Sequence, residues 1–190
     1  MAGQIKLNSV NFASESGGTI TVNNGTIGSG VVFPAGTIIG ISQNQFNTEH
    51  SFYATVNNTF YAFTEPVTCT ISNCRPGSQI LISVHLHISI NETNRAAKFR
   101  LIDKTNSDAV IGSEGSGGLF GIYDTNAQYG GIPISYQILY TPPSFNSGSF
   151  QVELYGACDD PGETVYINNS VSGSSVREFS SNIILQEIAG

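Results

Sequence analysis

A glycine-rich stretch between Gly112 and Ile132 carries the side chains of this chain that are best suited to hold a ligand. Aromatic rings stack on the apolar face of a sugar, while amides and carboxylates pair with its hydroxyl groups. Long loops inside compact domains are uncommon and often functional. We therefore interpret the stretch as a candidate loop for contact with a sugar. The alternative is a flexible connector without a ligand, which is the more frequent kind of loop. The candidate contact residues are Phe120, Tyr123, Asp124, Asn126, Gln128 and Tyr129.

Three carboxylates near Pro161 are the residues closest to a catalytic pattern. A glycosidase needs two carboxylates held across a sugar, but Asp159, Asp160 and Glu163 lie in and beside one Pro-Gly turn. An acidic turn can bind calcium, although a solvated turn is the more common case. The chain contains no Gly-x-Ser-x-Gly, His-Glu-x-x-His or P-loop signature. The sequence thus predicts no catalytic residue and no enzymatic activity.

Histidine and cysteine spacing gives no metal site. His85 and His87 are two residues apart on a predicted strand, and no Cys-x-x-Cys pair accompanies them. We expect no metal and no cofactor. Three cysteines are an odd count, which argues against a disulfide framework, and a bridge between Cys69 and Cys74 would require a tight turn. Three reduced thiols are the expected state, and a pairing of Cys69 with Cys74 stays open.

Composition narrows the class of protein. Charged residues make up 11% of the 190 residues, and the formal net charge is −7. Because no group of Lys and Arg is denser than the scattered Arg95, Lys98, Arg100 and Lys104, nucleic-acid binding is not expected. No apolar run approaches the ~20 residues of a membrane span, and the N-terminus lacks the apolar core of a signal peptide. A surface that is polar but sparsely charged is typical of extracellular and virion proteins, and we expect synthesis in a cytoplasm without export through an N-terminal signal.

The hydrophobic period is that of β-structure almost throughout. Residues 80 to 90 alternate, with Ile82, Val84, Leu86, Ile88 and Ile90 on one face. The aromatic group Phe52, Tyr53, Phe60, Tyr61 and Phe63 is predicted to pack in a core. These patterns, with turn signals between them, predict an all-β jelly-roll sandwich of roughly eight to ten strands. The further predicted strands are Phe99 to Asp103, Ser135 to Tyr140, Ser149 to Tyr155, Thr164 to Asn168 and Ser181 to Ile188.

The first 35 residues differ from the rest. An Asn24-Gly25 turn separates two short β-prone runs, Thr19 to Val22 and Thr26 to Ile27. Glycines are too frequent, and large apolar residues too few, for this segment to bury a core of its own. We therefore predict an extended N-terminal arm over residues 1–35, used for docking or assembly, and a β-sandwich domain over residues 36–190.

Four segments of the second part carry a resemblance: Phe63 to Ile71, Pro76 to Val84, Ala97 to Lys104 and Glu178 to Leu185. Their order resembles that of the C1q/TNF-like jelly roll. In that family an apolar strand leads to a Pro-Gly turn and a long alternating strand, and a last strand opens with Phe-Ser before an apolar run. The resemblance implies a homotrimer, in which the face with Ser83, His85, His87 and Ser89 contacts other copies; a solvated outer face is the alternative. The family's Gly-x-Tyr is replaced by Gly77-Ser-Gln-Ile80.

A second resemblance concerns the glycine-rich texture of Gly18 to Ile39 and the strand Ser78 to Val84. These segments are similar to tail-fibre and other virion structural proteins of bacteriophages. This resemblance implies a homotrimeric appendage that docks on other virion proteins through its N-terminal segment and turns its β domain outward.

Together these features predict a non-enzymatic virion structural protein. In one placement it is a fibre or appendage subunit whose loop contacts a glycan or protein on the host surface. In the other it is a capsid decoration or tail structural protein without receptor binding. A cellular C1q-like binding module is a further alternative, and an enzyme that degrades host polysaccharide is the last. No nucleic acid or membrane is an expected partner.

Overall fold

A computed structural model of the chain describes residues 4–7, 10–16, 19–22, 33–112, 118–124, 131–145, 148–169 and 180–190. Every regular element in these ranges is a β-strand, and none of them contains a helix that could cross a membrane. The chain divides into two compact units, Met1–Phe33 and Pro34–Gly190. The boundary predicted near residue 35 lies beside this division.

The N-terminal unit contains a three-stranded antiparallel sheet in the order β1-β2-β3. Its strands are β1 (Gln4–Leu7), β2 (Val10–Ser16) and β3 (Thr19–Val22). The predicted run Thr19 to Val22 is therefore a strand, and it pairs with β2. The predicted Asn24-Gly25 turn and the run Thr26 to Ile27 lie outside the described residues.

The second unit is a sandwich of two antiparallel sheets, which confirms the predicted all-β jelly-roll sandwich. The first, which we call the β9 sheet, consists of β6 (Tyr61–Ala62), β7 (Thr68–Ile71), β9 (Arg95–Asp103), β10 (Ala109–Ile111), β11 (Phe120–Asp124) and β13 (Phe150–Cys158). The second, the β8 sheet, consists of β4 (Ile38–Phe46), β5 (His50–Tyr53), β8 (Gln79–Ile90), β12 (Ile132–Tyr140), β14 (Thr164–Ile167) and β15 (Ser181–Ile188).

Strands from distant parts of the sequence alternate within each sheet. In the β8 sheet, β8 pairs with β12 on one side and with β15 on the other, and β15 pairs in turn with β4. In the β9 sheet, β13 lies between β9 and the short strands β6 and β7. The last strand of the chain is thus held between the first strand of the sandwich and its longest one, as the apolar pattern of residues 181 to 188 predicts.

The core lies between the two sheets and follows from the alternation along each strand. The inward side chains of β8, from Ile80 to Ile90, are at most 1% exposed. They face the buried inward residues of β9 and β13, among them Phe99, Leu101 and Leu154. The predicted core face of β8 is therefore confirmed.

A buried carboxylate, Asp103, joins the two sheets at one end of this core. Its Oδ1 accepts hydrogen bonds from the backbone N–H groups of Thr105 (2.9 Å) and Asn106 (3.0 Å). Its Oδ2 accepts from Asn106 Nδ2 (2.7 Å) and from the Tyr140 hydroxyl (2.9 Å). Because Asp103 ends β9 and Tyr140 ends β12, this carboxylate fixes the turn after β9 and connects the sheets. Burial, and then the bond to Asp103, raises the pKa of Tyr140.

Candidate interaction surfaces

The predicted sugar-contacting loop is partly a strand, because residues 120–124 form β11 and pair with β9. This contradicts the expectation of a continuous loop from Gly112 to Ile132. The short apolar run Phe120-Gly-Ile supplies two inward side chains, which is enough to add an edge strand where β9 has a free side. Asp124 is the last residue of that strand, and Asn126, Gln128 and Tyr129 lie outside the described residues.

The side chains of two of the predicted contact residues are described, and they differ in environment. Phe120 is half-buried and stacks between Phe99 (centroids 5.5 Å apart) and Tyr136 (4.8 Å), so its ring belongs to the core between the sheets. Tyr123 is 70% exposed. Its register partner is Ala96, which places it on the outer face of the β9 sheet.

The acidic turn is occupied by contacts within the protein. Asp159 Oδ1 accepts a hydrogen bond from the backbone N–H of Ala96 (2.8 Å), and Asp160 Oδ2 lies 2.9 Å from Arg95 Nη2. Glu163 lies 3.7 Å from Arg95 Nε, which is an ion pair without a hydrogen bond. Burial raises the pKa of Glu163 and nearby Glu92 adds to the shift, while Arg95 lowers it. Within the described ranges, no three His, Cys, Asp or Glu side chains are arranged to hold a metal ion.

All three cysteines are buried and reduced, including the pair whose bridging the sequence left open. Burial is the main cause that raises the pKa of each of the three thiols. For Cys74 the pKa rises to about 11, and the carboxylate of Glu187 contributes. A protonated, buried thiol is a poor nucleophile, so these groups serve packing.

The outer face of the β8 sheet is an uncharged surface that we call the amide face. It is built from four neighbouring strands, β4, β15, β8 and β12, whose outward residues form rows across the sheet. None of these positions is Asp, Glu, Lys or Arg. The rows are Gln45, Asn182, His85, Ser135; then Gln43, Ile184, Ser83, Gln137; then Ile41, Gln186, Leu81, Leu139; then Ile38, Ile188, Gln79.

The amide face combines hydrogen-bonded polar rows with exposed aliphatic side chains. His85 Nδ1 lies 2.8 Å from the Ser135 hydroxyl, and Gln137 Nε2 donates to Ser83 Oγ over 2.9 Å. At the opposite end the aliphatic side chains project into solvent. Exposed fractions there are 48% for Ile38, 65% for Ile41 and 52% for Leu139. Exposed apolar groups clustered on one face, rather than scattered, are typical of interaction sites.

The outer face of the β9 sheet is charged, and we call it the charged face. It carries Lys98 and Arg100 of β9, Glu153 of β13, and Lys104 from the turn that follows β9. Lys104 Nζ lies 2.6 Å from Asp108 Oδ1 and 3.3 Å from Glu153 Oε2. The bond to Asp108, with a smaller contribution from Glu153, raises the pKa of Lys104.

The charged face contains a shallow groove of about 330 Å³. The guanidinium carbon of Arg100 lies 3.8 Å from the centroid of the Phe60 ring. Phe60 was predicted for the core with its aromatic neighbours. Phe52 and Phe63 are indeed buried, but Tyr53 is 56% exposed and Phe60 is half-buried on the outside. The groove is lined by Phe60, Arg100, Ile102, Asp108, Val110 and Tyr155.

Comparison with known proteins identifies no family for this chain. No family model matches it, and no curated protein matches it. Among solved structures, dimeric latent PorU from Porphyromonas gingivalis aligns with 82% of this chain and 14% of its own length, at 8% identity and a TM-score of 0.35. The enzymatically active domain of tailspike protein 4 from bacteriophage CBA120 aligns with 70% of this chain and 19% of its own, at 17% identity and a TM-score of 0.24. Likenesses this weak carry no functional argument.

Sequence reasoning found the strand behind the amide face but missed the groove. Ser83 and His85 were recognised as outward residues because alternation assigns faces within one strand. The groove brings together residues from the β5–β6 connection, β9, the turn at Asp108, β10 and β13. A signal was present in the unusual grouping of Lys98, Arg100 and Lys104 in a chain with few bases, but the aromatic partners are far away in sequence.

Proposed function

We propose that this chain is a non-enzymatic virion structural protein, a homotrimeric fibre or appendage subunit that attaches to the particle through residues 1–33 and meets the host surface with its sandwich. The observation that carries the assembly part of the proposal is the amide face. Two copies of a chain with a net charge of −7 repel each other, so a surface without ionised groups is where identical copies approach at least cost. The exposed Ile41 and Leu139 then supply apolar area to bury.

The size of the amide face fits a shared interface. Four strands spaced by ~4.8 Å span about 19 Å, and the seven residues from Gln79 to His85 at ~3.3 Å each span about 23 Å, which gives about 440 Å² on each copy. A standard interface buries roughly 800 Å² per partner. The interface must therefore also include the edges of neighbouring strands. In a trimer around a three-fold axis each copy contacts two others, which brings such edges into the interface.

The division of the chain supports separate roles for its two parts. Residues 1–33 form their own compact unit, while the sandwich of residues 34–190 has a complete core. Because residues of the sandwich supply this core, the N-terminal unit is available to bind another virion protein.

Mass measurement in solution tests the assembly. We expect about three times the chain mass of 20.2 kDa for the full chain, and the same ratio for a variant that lacks residues 1–33. When this variant is expressed in place of the full chain, we expect it to be absent from the purified particles. A monomer at tens of micromolar would refute the trimer, and normal incorporation of the truncated chain would refute docking through its first part.

A further inference from the structure

We infer that a cavity at one end of the sandwich is a binding site for a small, uncharged aromatic ligand. Its volume is about 530 Å³, and ligand sites span roughly 300–1,000 Å³. The cavity lies between the connection from β7 to β8 and the connection from β12 to β13, which leave the sheets at the same end. The first connection contributes Cys74, Pro76 and Gly77, and the second contributes residues 142–145 and Gly148.

The first wall of the cavity is held by hydrogen bonds of its backbone. The N–H of Cys74 donates to the carbonyl oxygen of Gly148 over 2.6 Å and so ties the two connections together. The next N–H, that of Arg75, donates over 2.6 Å to Oε1 of Glu187, a buried residue of β15. Both bonds attach this wall to other parts of the sandwich, so it keeps its shape without a ligand.

The second wall is held by a pair of polar side chains. Ser144 Oγ donates to Asn106 Oδ1 (2.7 Å), and Asn106 Nδ2 donates to the carbonyl oxygen of Ser144 (3.1 Å). Asn106 Nδ2 also donates to Asp103, the buried carboxylate that joins the sheets. Pro142 and Pro143 stiffen the wall further, because each ring fixes its own φ. A cavity whose walls are fixed in advance loses little conformational entropy when it binds.

The lining of the cavity carries no charge. None of the described residues that line it is Asp, Glu, Lys, Arg or His. Cys74 is a neutral thiol at neutral pH, because burial raises its pKa to about 11. Arg75 and Glu187, which are joined by a hydrogen bond beside Cys74, are not among the lining residues. An ionised ligand would therefore give up its hydration without meeting an opposite charge, so the site selects an uncharged one.

The apolar part of the lining consists of rings. Pro76, Pro142 and Pro143 present saturated rings, and the half-buried Phe145 presents an aromatic ring that packs against the core. An aromatic ligand can stack on Phe145 or meet it edge to face, an interaction that a saturated ring of equal area lacks. Its flat faces also suit the apolar surface of proline rings, which aromatic side chains recognise in other proteins.

The backbone of the lining favours a ligand that donates hydrogen bonds. The three prolines have carbonyl oxygens but no N–H, and the N–H of Cys74 is already donated to Gly148. Carbonyl acceptors therefore outnumber N–H donors along the described lining. Phenols and indoles combine an aromatic ring with an O–H or N–H donor and carry no charge, so they are the class that suits the cavity. The site goes beyond the proposed virion role and does not depend on it.

Titration of the full chain with 4-methylphenol and with indole, followed by calorimetry, is the test. We expect both to bind with a Kd below about 1 mM. The saturated counterpart 4-methylcyclohexanol and the ionised 4-methylbenzoate should bind at least about fivefold more weakly, since the first cannot stack and the second meets no opposite charge. Equal binding of either would overturn the ligand class, and no binding of the two aromatic donors at millimolar concentration would overturn the site.

Amide NMR signals of glycines place the ligand in the unaltered chain. Gly77 and Gly148 line the cavity, whereas Gly121 and Gly156 lie in β11 and β13 and do not. On addition of 4-methylphenol the signals of the first pair should shift along one binding curve, and those of the second pair should stay in place. Shifts in the second pair as large as those in the first would overturn the placement of the site.

Matched variants test the rings that are expected to hold the ligand. Phe145→Ala should weaken binding of 4-methylphenol by about tenfold, while Phe60→Ala removes a half-buried phenylalanine from the charged face and should leave the affinity unchanged. Pro76→Ala alters an exposed residue of the lining, so it keeps the fold if Phe145→Ala does not, and it should weaken binding several-fold. Pro161→Ala, at an exposed proline of another turn, is its control. Loss of binding in Phe60→Ala with full binding in the two cavity variants would move the site to the groove on the charged face and overturn the inference.

Discussion

The two outer faces of the sandwich are built in the same way but differ in chemistry. Each is the outward half of an alternating set of strands whose inward half is buried. On the β9 sheet the outward positions hold Lys98, Arg100 and Glu153, whereas on the β8 sheet they hold amides, hydroxyls, imidazoles and aliphatic groups. Packing of the core does not require the two outer faces to differ in charge, because an antiparallel sheet can leave its outer face in water whatever polar residues it carries. The contrast therefore reflects what each face meets, and on our proposal the uncharged face meets other copies of the chain.

Placing a charge on the amide face should have the largest effect on assembly. If it had none, the proposed difference between the two outer faces would be wrong. Leu139→Lys puts an ammonium group where each copy is expected to meet another, and an unpaired charge buried in an interface costs about 3 kcal/mol or more. We expect the trimer to dissociate at concentrations at which the unaltered chain is fully assembled, as measured by sedimentation or light scattering.

Two controls belong with this substitution. Val56→Lys alters a residue of similar exposure, 56%, in the turn after β5, and Lys104→Ala alters the charged face. Both should leave the mass unchanged, because neither position lies on the amide face. If Val56→Lys and Leu139→Lys dissociated the assembly equally, added charge rather than the face would be responsible.

Removal of the carboxylate that joins the sheets should have the next largest effect. Asp103→Ala leaves the N–H groups of Thr105 and Asn106 and the hydroxyl of Tyr140 without their buried acceptor. We expect the free energy of unfolding to fall by about 3 kcal/mol in chemical denaturation. Tyr140→Phe removes one of these donors together with its need for a partner and should cost only about 1 kcal/mol. Equal losses in the two variants would show that the turn contributes nothing and that the sheets are joined by the Tyr140 contact.

Alkaline pH should have the smallest effect and should separate the interior from the amide face. A thiol whose pKa is raised by folding stays protonated after the unfolded chain has lost its proton. The stabilising contribution of Cys74 is therefore complete below pH 9.0 and is lost as the pH rises toward about 11. Over two pKa units this amounts to at most about 2.7 kcal/mol. The pKa values of the buried Cys69 and Cys158 and of the partly buried Tyr140 shift in the same direction.

Thermal unfolding between pH 8 and 11 measures this loss. The midpoint should fall with pH, and the fall should be smaller in Cys74→Ala. No Lys, Tyr or Cys lies among the amide-face positions, so assembly should persist over this range for as long as the fold does. Dissociation well before unfolding would show that titrating groups outside the amide face take part in the contact.

Much of the fold could be predicted because its longest strands alternate cleanly. Residues 80 to 90 and 181 to 188 have aliphatic side chains at every second position, and both form the predicted strands β8 and β15. The short strands β6 and β10 were missed because two or three residues carry no period. Strand β4 was missed because its inward Ser42 and Asn44 bond to the carbonyl oxygens of Thr70 and Thr68 instead of packing in the core.

The site was harder to predict than the fold, for a reason visible in Phe60. Local sequence places it in an aromatic group with Phe52 and Phe63, and all three look like core residues. The direction of its side chain is set by β6, which pairs with β13 directly after Phe60. This pairing places the Phe60 ring over Arg100 of the neighbouring strand β9. A pattern within one segment cannot show which side of a partner strand a neighbouring residue will cover.

The sandwich begins and ends at one place. The backbone N–H of Gly36 donates to the carbonyl oxygen of Ala189 (2.9 Å), and the N–H of Ala189 donates to that of Thr37 (2.8 Å). Segment 34–190 can therefore be spliced as a cassette into a surface loop of another protein, since the host loop would need to open by only a few ångströms. The same adjacency suits the segment to transfer by insertion, because a recipient fold would gain an entire domain through two junctions that lie close together in space.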